Sequence, residues 1–148
     1  MPGAVCVDAS LAIKWIFPED LSDQAGNLRR QWRRDEVTLV APPLFPAEVT
    51  SIIRERAFRG ELSLAQADAV LERTLLWPVS LSAPLPALQR TALSYAHRFN
   101  HPKAYDAQYL ALADVLGCEF WTGDRRLVNS LRSALPWVKW VGDFSPGS

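Results

Sequence analysis

Cysteines and long hydrophobic runs are scarce in this 148-residue sequence, and each scarcity excludes a class of protein. Two cysteines do not make a disulfide framework, so we expect Cys6 and Cys118 to be small core residues. No apolar run approaches the ~18 residues of a membrane span, and the N-terminus, Met-Pro-Gly-Ala, lacks the features of a signal peptide. We therefore expect a cytoplasmic protein that has no membrane association.

Net charge is also absent, because 16 acidic side chains balance 16 basic ones. This balance argues against a nucleic-acid partner, but 13 of the bases are arginine, which suits bidentate contact with phosphate. Four of them, Arg29, Arg30, Arg33 and Arg34, fall on one predicted helix. They are available to phosphate or to an acidic partner, although a solvated helix surface explains any single arginine as well.

The chain length and the 49% hydrophobic content fit one domain over residues 1–148. Alternating strand and helix patterns predict an α/β fold, with a parallel sheet covered by helices on both faces. Predicted strands cover residues 4–8, 37–41, 77–81, 119–122 and 137–141. Predicted helices cover residues 11–17, 21–34, 46–59, 63–77, 84–99, 105–116 and 125–131.

Two of these helices have predicted buried faces. The helix at 105–116 is apolar almost all round from Leu110 to Leu116, so we expect burial of that whole segment. The helix that opens with the capping-box pattern of residues 63–66 should turn four residues inward. These are Leu64, Ala67, Leu71 and Leu75.

Four acidic residues occupy positions where ligand sites form in parallel sheets. Asp8 and Asp124 follow predicted strands, and Glu48 and Asp106 lie in the first turns of predicted helices. Ligands bind such sheets beyond the carboxyl ends of the strands, where the strand order reverses. If the strands before Asp8 and Asp124 are neighbours, the acids converge. The alternative is that each acid only caps a helix or interacts with its N-terminus.

A cluster of four carboxylates needs a cation, because one pair ~4 Å apart costs about 4 kcal/mol at an effective dielectric near 20. Oxygen ligands without cysteine or histidine suit Mg²⁺ or Mn²⁺ and argue against zinc. Such a bound metal activates water and stabilises the charge that develops on a phosphodiester. The spacing alone leaves both a metal site and a set of helix caps open.

Several polar residues near these acids have two interpretations. The hydroxyls of Ser10 and Thr122 either cap helices or support the site, and Lys14 either reaches phosphate or lies on the surface. His97 and His101 have the spacing of a metal pair on a helix. The helix should end before His101, so we do not expect them to be ligands.

Four segments together resemble the PIN-domain family, and specifically the VapC-type toxin ribonucleases. The resemblance extends over residues 4–144. Its segments are Val7-Asp8-Ala9-Ser10 with Lys14-Trp15, Pro46-Ala47-Glu48-Val49, the segment from Tyr105-Asp106-Ala107 to Ala113, and Thr122-Gly123-Asp124-Arg125-Arg126.

The resemblance implies a metal-dependent endoribonuclease on a five-stranded parallel sheet, with Mg²⁺ or Mn²⁺ as cofactor. It implies that Asp8, Glu48, Asp106 and Asp124 form the acidic site. It also implies an RNA substrate, a VapB-type antitoxin partner and a homodimer.

Two positions depart from the family pattern. Ser51 stands where many relatives carry asparagine, and Asn129 is the nearest candidate for a further acid that sometimes follows the fourth. Both are candidate supporting residues, and their identities leave open whether a second metal binds. An aspartate-based phosphatase fits less well, because it requires an acid where Ser10 stands. A non-catalytic PIN-fold binding module remains an alternative.

Overall fold

The computed structural model describes residues 3–146, in which five strands form one sheet. All four strand pairings are parallel and the order is β3-β2-β1-β4-β5, which confirms the predicted five-stranded parallel sheet. The strand order therefore reverses between β1 and β4. The strands are Ala4–Val7 (β1), Thr38–Ala41 (β2), Val79–Leu81 (β3), Glu119–Thr122 (β4) and Val138–Trp140 (β5).

Seven α-helices in the described part of the chain connect and cover these strands. They are Ala9–Ala12 (α1), Ser22–Arg34 (α2), Phe45–Phe58 (α3), Leu64–Leu75 (α4), Pro86–Arg98 (α5), Tyr105–Leu116 (α6) and Arg125–Leu131 (α7). The clearest difference from prediction concerns residues 11–17. The helix begins earlier, because Asp8 caps it, and it continues as a 3-10 turn at Ile13–Trp15.

The helix ends follow local signals in the sequence. Ser63 and Gln66 form the predicted capping box, with their two hydrogen bonds at 2.8 and 3.1 Å. Pro46 lies in the first turn of α3, where a missing N–H costs nothing. Gly117 ends α6 with a φ of 65°, a left-handed conformation that glycine adopts without a steric penalty.

The predicted buried faces of α4 and α6 are partly wrong. In α6 the residues from Leu110 to Ala113 are buried, but Val115 and Leu116 in the last turn are 58% and 51% exposed. In α4 the predicted inward residues Leu64 and Leu75 are exposed, while Ala67 and Leu71 pack against the core.

The buried stripe of α4 is rotated towards Val70 and Thr74. Thr74 tolerates burial because its hydroxyl donates to the Leu71 carbonyl at 2.8 Å. A pattern of apolar residues alone does not reveal this rotation. Of the two cysteines, Cys6 is buried as predicted and Cys118 is half-buried, and both thiols are free.

The direction of α6 brings its first turn to the carboxyl edge of the sheet, because this helix leads through Gly117 into the start of β4. Helix α5 runs parallel to α6. Gln89 bonds Gln108 and Tyr95 bonds Asp114, so the same separation of 19 residues recurs along both helices. No helix in residues 3–146 is long and apolar enough to cross a membrane.

Candidate active site

The first part of the site lies at the junction of β1 and β4. Val7 pairs with Trp121, so Asp8 and Thr122 follow side by side at the carboxyl edge. The Thr122 hydroxyl donates to Asp8 Oδ2 at 2.5 Å. Asp8 Oδ1 accepts from the Ser10 hydroxyl at 2.8 Å and from the Leu11 amide at 3.0 Å. These three bonds fix the buried Asp8 carboxylate in one orientation.

The hydroxyls of Ser10 and Thr122 also hold the loop after β4. Ser10 Oγ accepts from the Gly123 amide, and Thr122 Oγ1 accepts from the Asp124 amide, both at 3.0 Å. Each hydroxyl has one proton, which it donates to Asp8, so the 3.1 Å contact between the two hydroxyls adds no further bond. Neither hydroxyl caps a helix.

Position 123 requires a glycine because this loop lies very close to α1. A Cβ at position 123 would lie 2.7 Å from the Ser10 carbonyl oxygen and 2.8 Å from Lys14 Cε. Real Cβ contacts are not this short, so a side chain here would push the loop away from α1. The glycine therefore keeps Asp124 next to the Asp8 network.

Helix capping partly explains why two of the four acids stand where they do. Asp8 caps α1 through the Leu11 amide, and Asp124 Oδ1 caps α7 by accepting from the Leu127 amide at 3.1 Å. Asp106 is different. It is exposed in the first turn of α6, a helix without a side-chain capping bond. Capping thus covers Asp8 and Asp124, and the remaining structural explanation for Asp106 is the favourable interaction of an acid in the first turn with the helix N-terminus.

Glu48 extends from the first turn of α3 and is held by a residue that sequence reasoning missed. The hydroxyl of Tyr109 donates to Glu48 Oε1 at 2.5 Å. Tyr109 is buried and its ring stacks on Phe120 with centroids 5.6 Å apart. The available signal was its spacing, since Tyr109 comes three residues after Asp106 and so shares a side of α6 with it.

The four acids lie close enough to repel one another electrostatically, and Asp106 interacts with each of the other three. Burial raises the pKa of Asp8 to about 6, although the hydrogen bonds to its carboxylate act to lower it. The charge of Asp106 adds to the rise. Burial and the charge of Asp106 likewise raise the pKa of Glu48. The pKa of Asp106 is raised by partial burial and by the charge of Asp124, although His101 lowers it. Each acid therefore interacts with at least one other.

The four acids have no ion-pair partner among the described residues. In the same part of the chain, no three acidic, histidine or cysteine side chains stand close enough to hold a metal ion as placed. The chemistry of the donors, carboxylate oxygens without sulfur or nitrogen, nevertheless fits a hard divalent cation.

The candidate supporting residues outside this network are exposed. Ser51 lies one helical turn after Glu48, in a groove that Glu55 and Tyr105 also line. Asn129 is in the second turn of α7, away from its capped end. Helix α5 ends before His101, so the two histidines do not share one helical face.

Two of the basic residues considered for phosphate contact have structural partners. Lys14 Nζ donates to Glu19 Oε1 at 3.1 Å and to the Asp20 carbonyl at 2.9 Å. The guanidinium of Arg29 lies over the ring of Trp15, 4.9 Å from its centroid. Both side chains are therefore part of the folded structure rather than freely solvated, and contact with phosphate stays a prediction for each.

A parallel sheet covered by helices, with four acids where the strand order reverses, defines the class of this protein. These acids, Asp8, Glu48, Asp106 and Asp124, form what we call the acidic rim. A family model for the PIN domain matches residues 5–130, and the chain belongs to the PIN-domain family. It is 32% identical over 133 residues to Ribonuclease VapC3 of Mycobacterium tuberculosis, covering 90% of this chain and 91% of that protein. The resemblance found in the sequence is confirmed.

Solved structures with low sequence identity share the fold. A toxin-antitoxin complex from Klebsiella pneumoniae matches with a TM-score of 0.65 and 14% identity, covering 90% of this chain and 94% of that one. VapC20 from Mycobacterium tuberculosis, a sarcin-ricin loop cleaving toxin, matches with a TM-score of 0.63 and 15% identity, covering 88% and 95%.

Proposed function

We propose that this protein is a metal-dependent endoribonuclease and the toxin of a VapBC-type toxin–antitoxin pair. The observation that carries the proposal is the set of four coupled carboxylates at the reversal of strand order, which have no ion-pair partner among residues 3–146. The 32% identity to a protein named as a ribonuclease supports RNA as the substrate.

In this proposal Asp8, Glu48, Asp106 and Asp124 hold Mg²⁺ or Mn²⁺. The bound metal supplies an activated water and stabilises charge on the phosphodiester. The chain's other residues keep the ligands in place: two hydroxyls and a backbone amide orient Asp8, and Tyr109 orients Glu48. Ser51 and Asn129 are proposed as outer supporting residues.

The proposed partners follow from the same assignment. A VapB-type antitoxin is supported by the likeness to a chain of a toxin-antitoxin complex. A homodimer, a cytoplasmic location and a single PIN domain over residues 1–148 complete the proposal. Copurification of the chain with the product of an adjacent small reading frame, and the mass of the purified species in solution, test the two assemblies.

Cleavage of total cellular RNA tests the proposed chemistry. The wild type should cleave in Mg²⁺ or Mn²⁺ and stop in excess EDTA. Asp106→Asn should lower the rate by about 100-fold, because it removes a metal ligand. Asp114→Asn is the matched control, since Asp114 lies exposed at the other end of α6. Undiminished cleavage in EDTA, or equal rates for the two variants, would contradict the proposal, and a wild type that cleaves no RNA would favour a binding module.

A further inference from the structure

A tryptophan and an arginine lie beside the acidic rim without belonging to it. Strand β5 pairs with β4 so that Thr122 and Trp140 are in register, which places Trp140 at the same carboxyl edge. Neighbouring strands are about 4.8 Å apart, so the backbone of Trp140 lies roughly 10 Å from that of Asp8, two strands away. Arg125 follows Asp124 directly, as the first residue of α7.

The side chains of Trp140 and Arg125 form a fixed pair. The ring of Trp140 lies against Gly142, where an added Cβ would come within 2.3 to 2.5 Å of three ring atoms. The guanidinium carbon of Arg125 lies 4.8 Å from the ring centroid. Because Gly142 has no side chain, the ring of Trp140 packs directly against the backbone there. The ring in turn favours the position of the Arg125 guanidinium over it.

Within the described structure the charge of Arg125 contacts an aromatic ring and no acidic group. Among residues 3–146, no carboxylate lies within ion-pair distance of it, whereas Arg132 at the other end of α7 contacts Asp143 at 3.4 Å. The guanidinium lies over the Trp140 ring, and its N–H groups make no hydrogen bond within residues 3–146. The N–H groups in its plane remain free for bidentate contact with an anion such as phosphate.

The position of Arg125 is unfavourable for the helix itself. Backbone N–H groups at a helix N-terminus favour acidic neighbours and disfavour cations. The indole N–H of Trp140 is also buried without a hydrogen-bond partner in the described residues, which lowers stability. The cation–π contact offsets part of these two costs, and the place of the pair beside the site leaves room for a further role.

We propose that Arg125, held in place by Trp140, binds an RNA phosphate that flanks the scissile one. Arg125 is then a positioning residue, and the inference rests on the proposed ribonuclease function. An RNA strand that has its scissile phosphate at the carboxylates and runs along the edge of the sheet from β1 towards β5 would pass Arg125, whose guanidinium lies over Trp140.

Steady-state kinetics on a short labelled RNA, containing a site mapped in the digest of total RNA, test this role. Arg125→Gln should raise KM about tenfold and leave kcat nearly unchanged, because the contact is made equally before and during the reaction. The dependence of log(kcat/KM) on log[salt] should become shallower by about 0.7, the value for one lost phosphate contact on single strands.

The matched control is Arg98→Gln. Arg98 also lies over an aromatic ring, that of Phe99 at 5.0 Å, but at the end of α5 that faces away from the rim. This variant should keep the wild-type KM and salt dependence. Arg125→Lys retains the charge without the planar fork, so its KM should fall between those of wild type and Arg125→Gln.

Variants of Trp140 separate positioning from charge. Trp140→Phe keeps a ring under the guanidinium and should stay near the wild-type KM, while Trp140→Leu should raise KM towards that of Arg125→Gln. Melting curves identify any variant that fails to fold. If Arg125→Gln and Arg98→Gln share the wild-type KM and salt dependence while RNA is still cleaved, this inference is wrong and the proposed function stands. If the wild type cleaves no RNA, both are wrong.

Discussion

Two groups of acidic residues in this protein differ in what surrounds them. Glu19 accepts from Lys14 at 3.1 Å and also pairs with Arg56, which in turn contacts Glu61 at 3.6 Å. In this ion-pair network each carboxylate has a base. The four acids of the rim form no ion pair within residues 3–146, and the hydrogen bonds that Asp8, Glu48 and Asp124 accept come from backbone amides and neutral hydroxyls.

Lys14 makes the contrast sharper, because it lies between the two groups. Its stem passes so close to Gly123 that a Cβ there would lie 2.8 Å from Lys14 Cε. Its ammonium nevertheless pairs with Glu19 rather than with an acid of the rim. Although its stem lies beside the rim, Lys14 therefore does not neutralise it, and we expect a cation from solution to do so.

The largest expected effect concerns the pH dependence of stability without metal. The pKa of Asp8 is raised from 3.8 to about 6 on folding, so the folded state binds more protons than the unfolded state between those values. Stability from this group is therefore lost as pH rises through that window, by up to about 3 kcal/mol.

Chemical denaturation in EDTA from pH 4 to pH 7 measures this loss. The wild type should lose stability relative to Asp8→Asn as pH rises, because asparagine keeps the oxygen acceptor without titrating. A difference that stays constant, or one that changes in the opposite direction, would show that burial does not raise this pKa.

A smaller change in stability is expected when the ion-pair network is broken. Glu19→Gln leaves Lys14 and Arg56 without that partner and should destabilise the protein by about 1–3 kcal/mol. The control Glu72→Gln, at an exposed site on α4, should stay within about 0.5 kcal/mol of wild type. Denaturation curves in EDTA compare the three proteins. A Glu19→Gln variant as stable as wild type would remove the contrast between the two groups.

Sequence reasoning predicted the sheet because the signals of its strands and helix ends are local, whereas the site of four acids stays a prediction. An acid directly after a strand and a glycine at a helix end are each visible within a few residues. The bond between Tyr109 and Glu48, by contrast, joins residues 61 positions apart, and the pairing of Lys14 with Glu19 depends on side-chain direction. The rotation of α4 buries Thr74, a polar residue that a pattern of apolar residues does not mark as inward.

The contact between Tyr109 and Glu48 gives the next expected effect. Tyr109→Phe removes the donor and should destabilise the protein by about 0.5–1.5 kcal/mol. It should also raise the pKa of Glu48, because the hydroxyl stabilises the ionised form. Tyr105→Phe, which changes a tyrosine 61% exposed on the same helix, is the control and should be neutral. Equal stability of the two variants would mean that this hydrogen bond does not contribute.

The most direct test of the central claim is denaturation of wild type and Asp106→Asn, each in EDTA and in excess Mg²⁺. The Asp106 side chain is exposed to solvent even though other atoms crowd around it. Solvent therefore screens much of the repulsion between Asp106 and the other acids. The substitution should raise stability in EDTA by a few tenths of a kcal/mol to about 1 kcal/mol. It should also reduce the stabilisation by Mg²⁺, because a ligand stabilises the native state only as far as it binds it. Lower stability in EDTA together with an undiminished Mg²⁺ effect would contradict the assignment of the rim as a metal site.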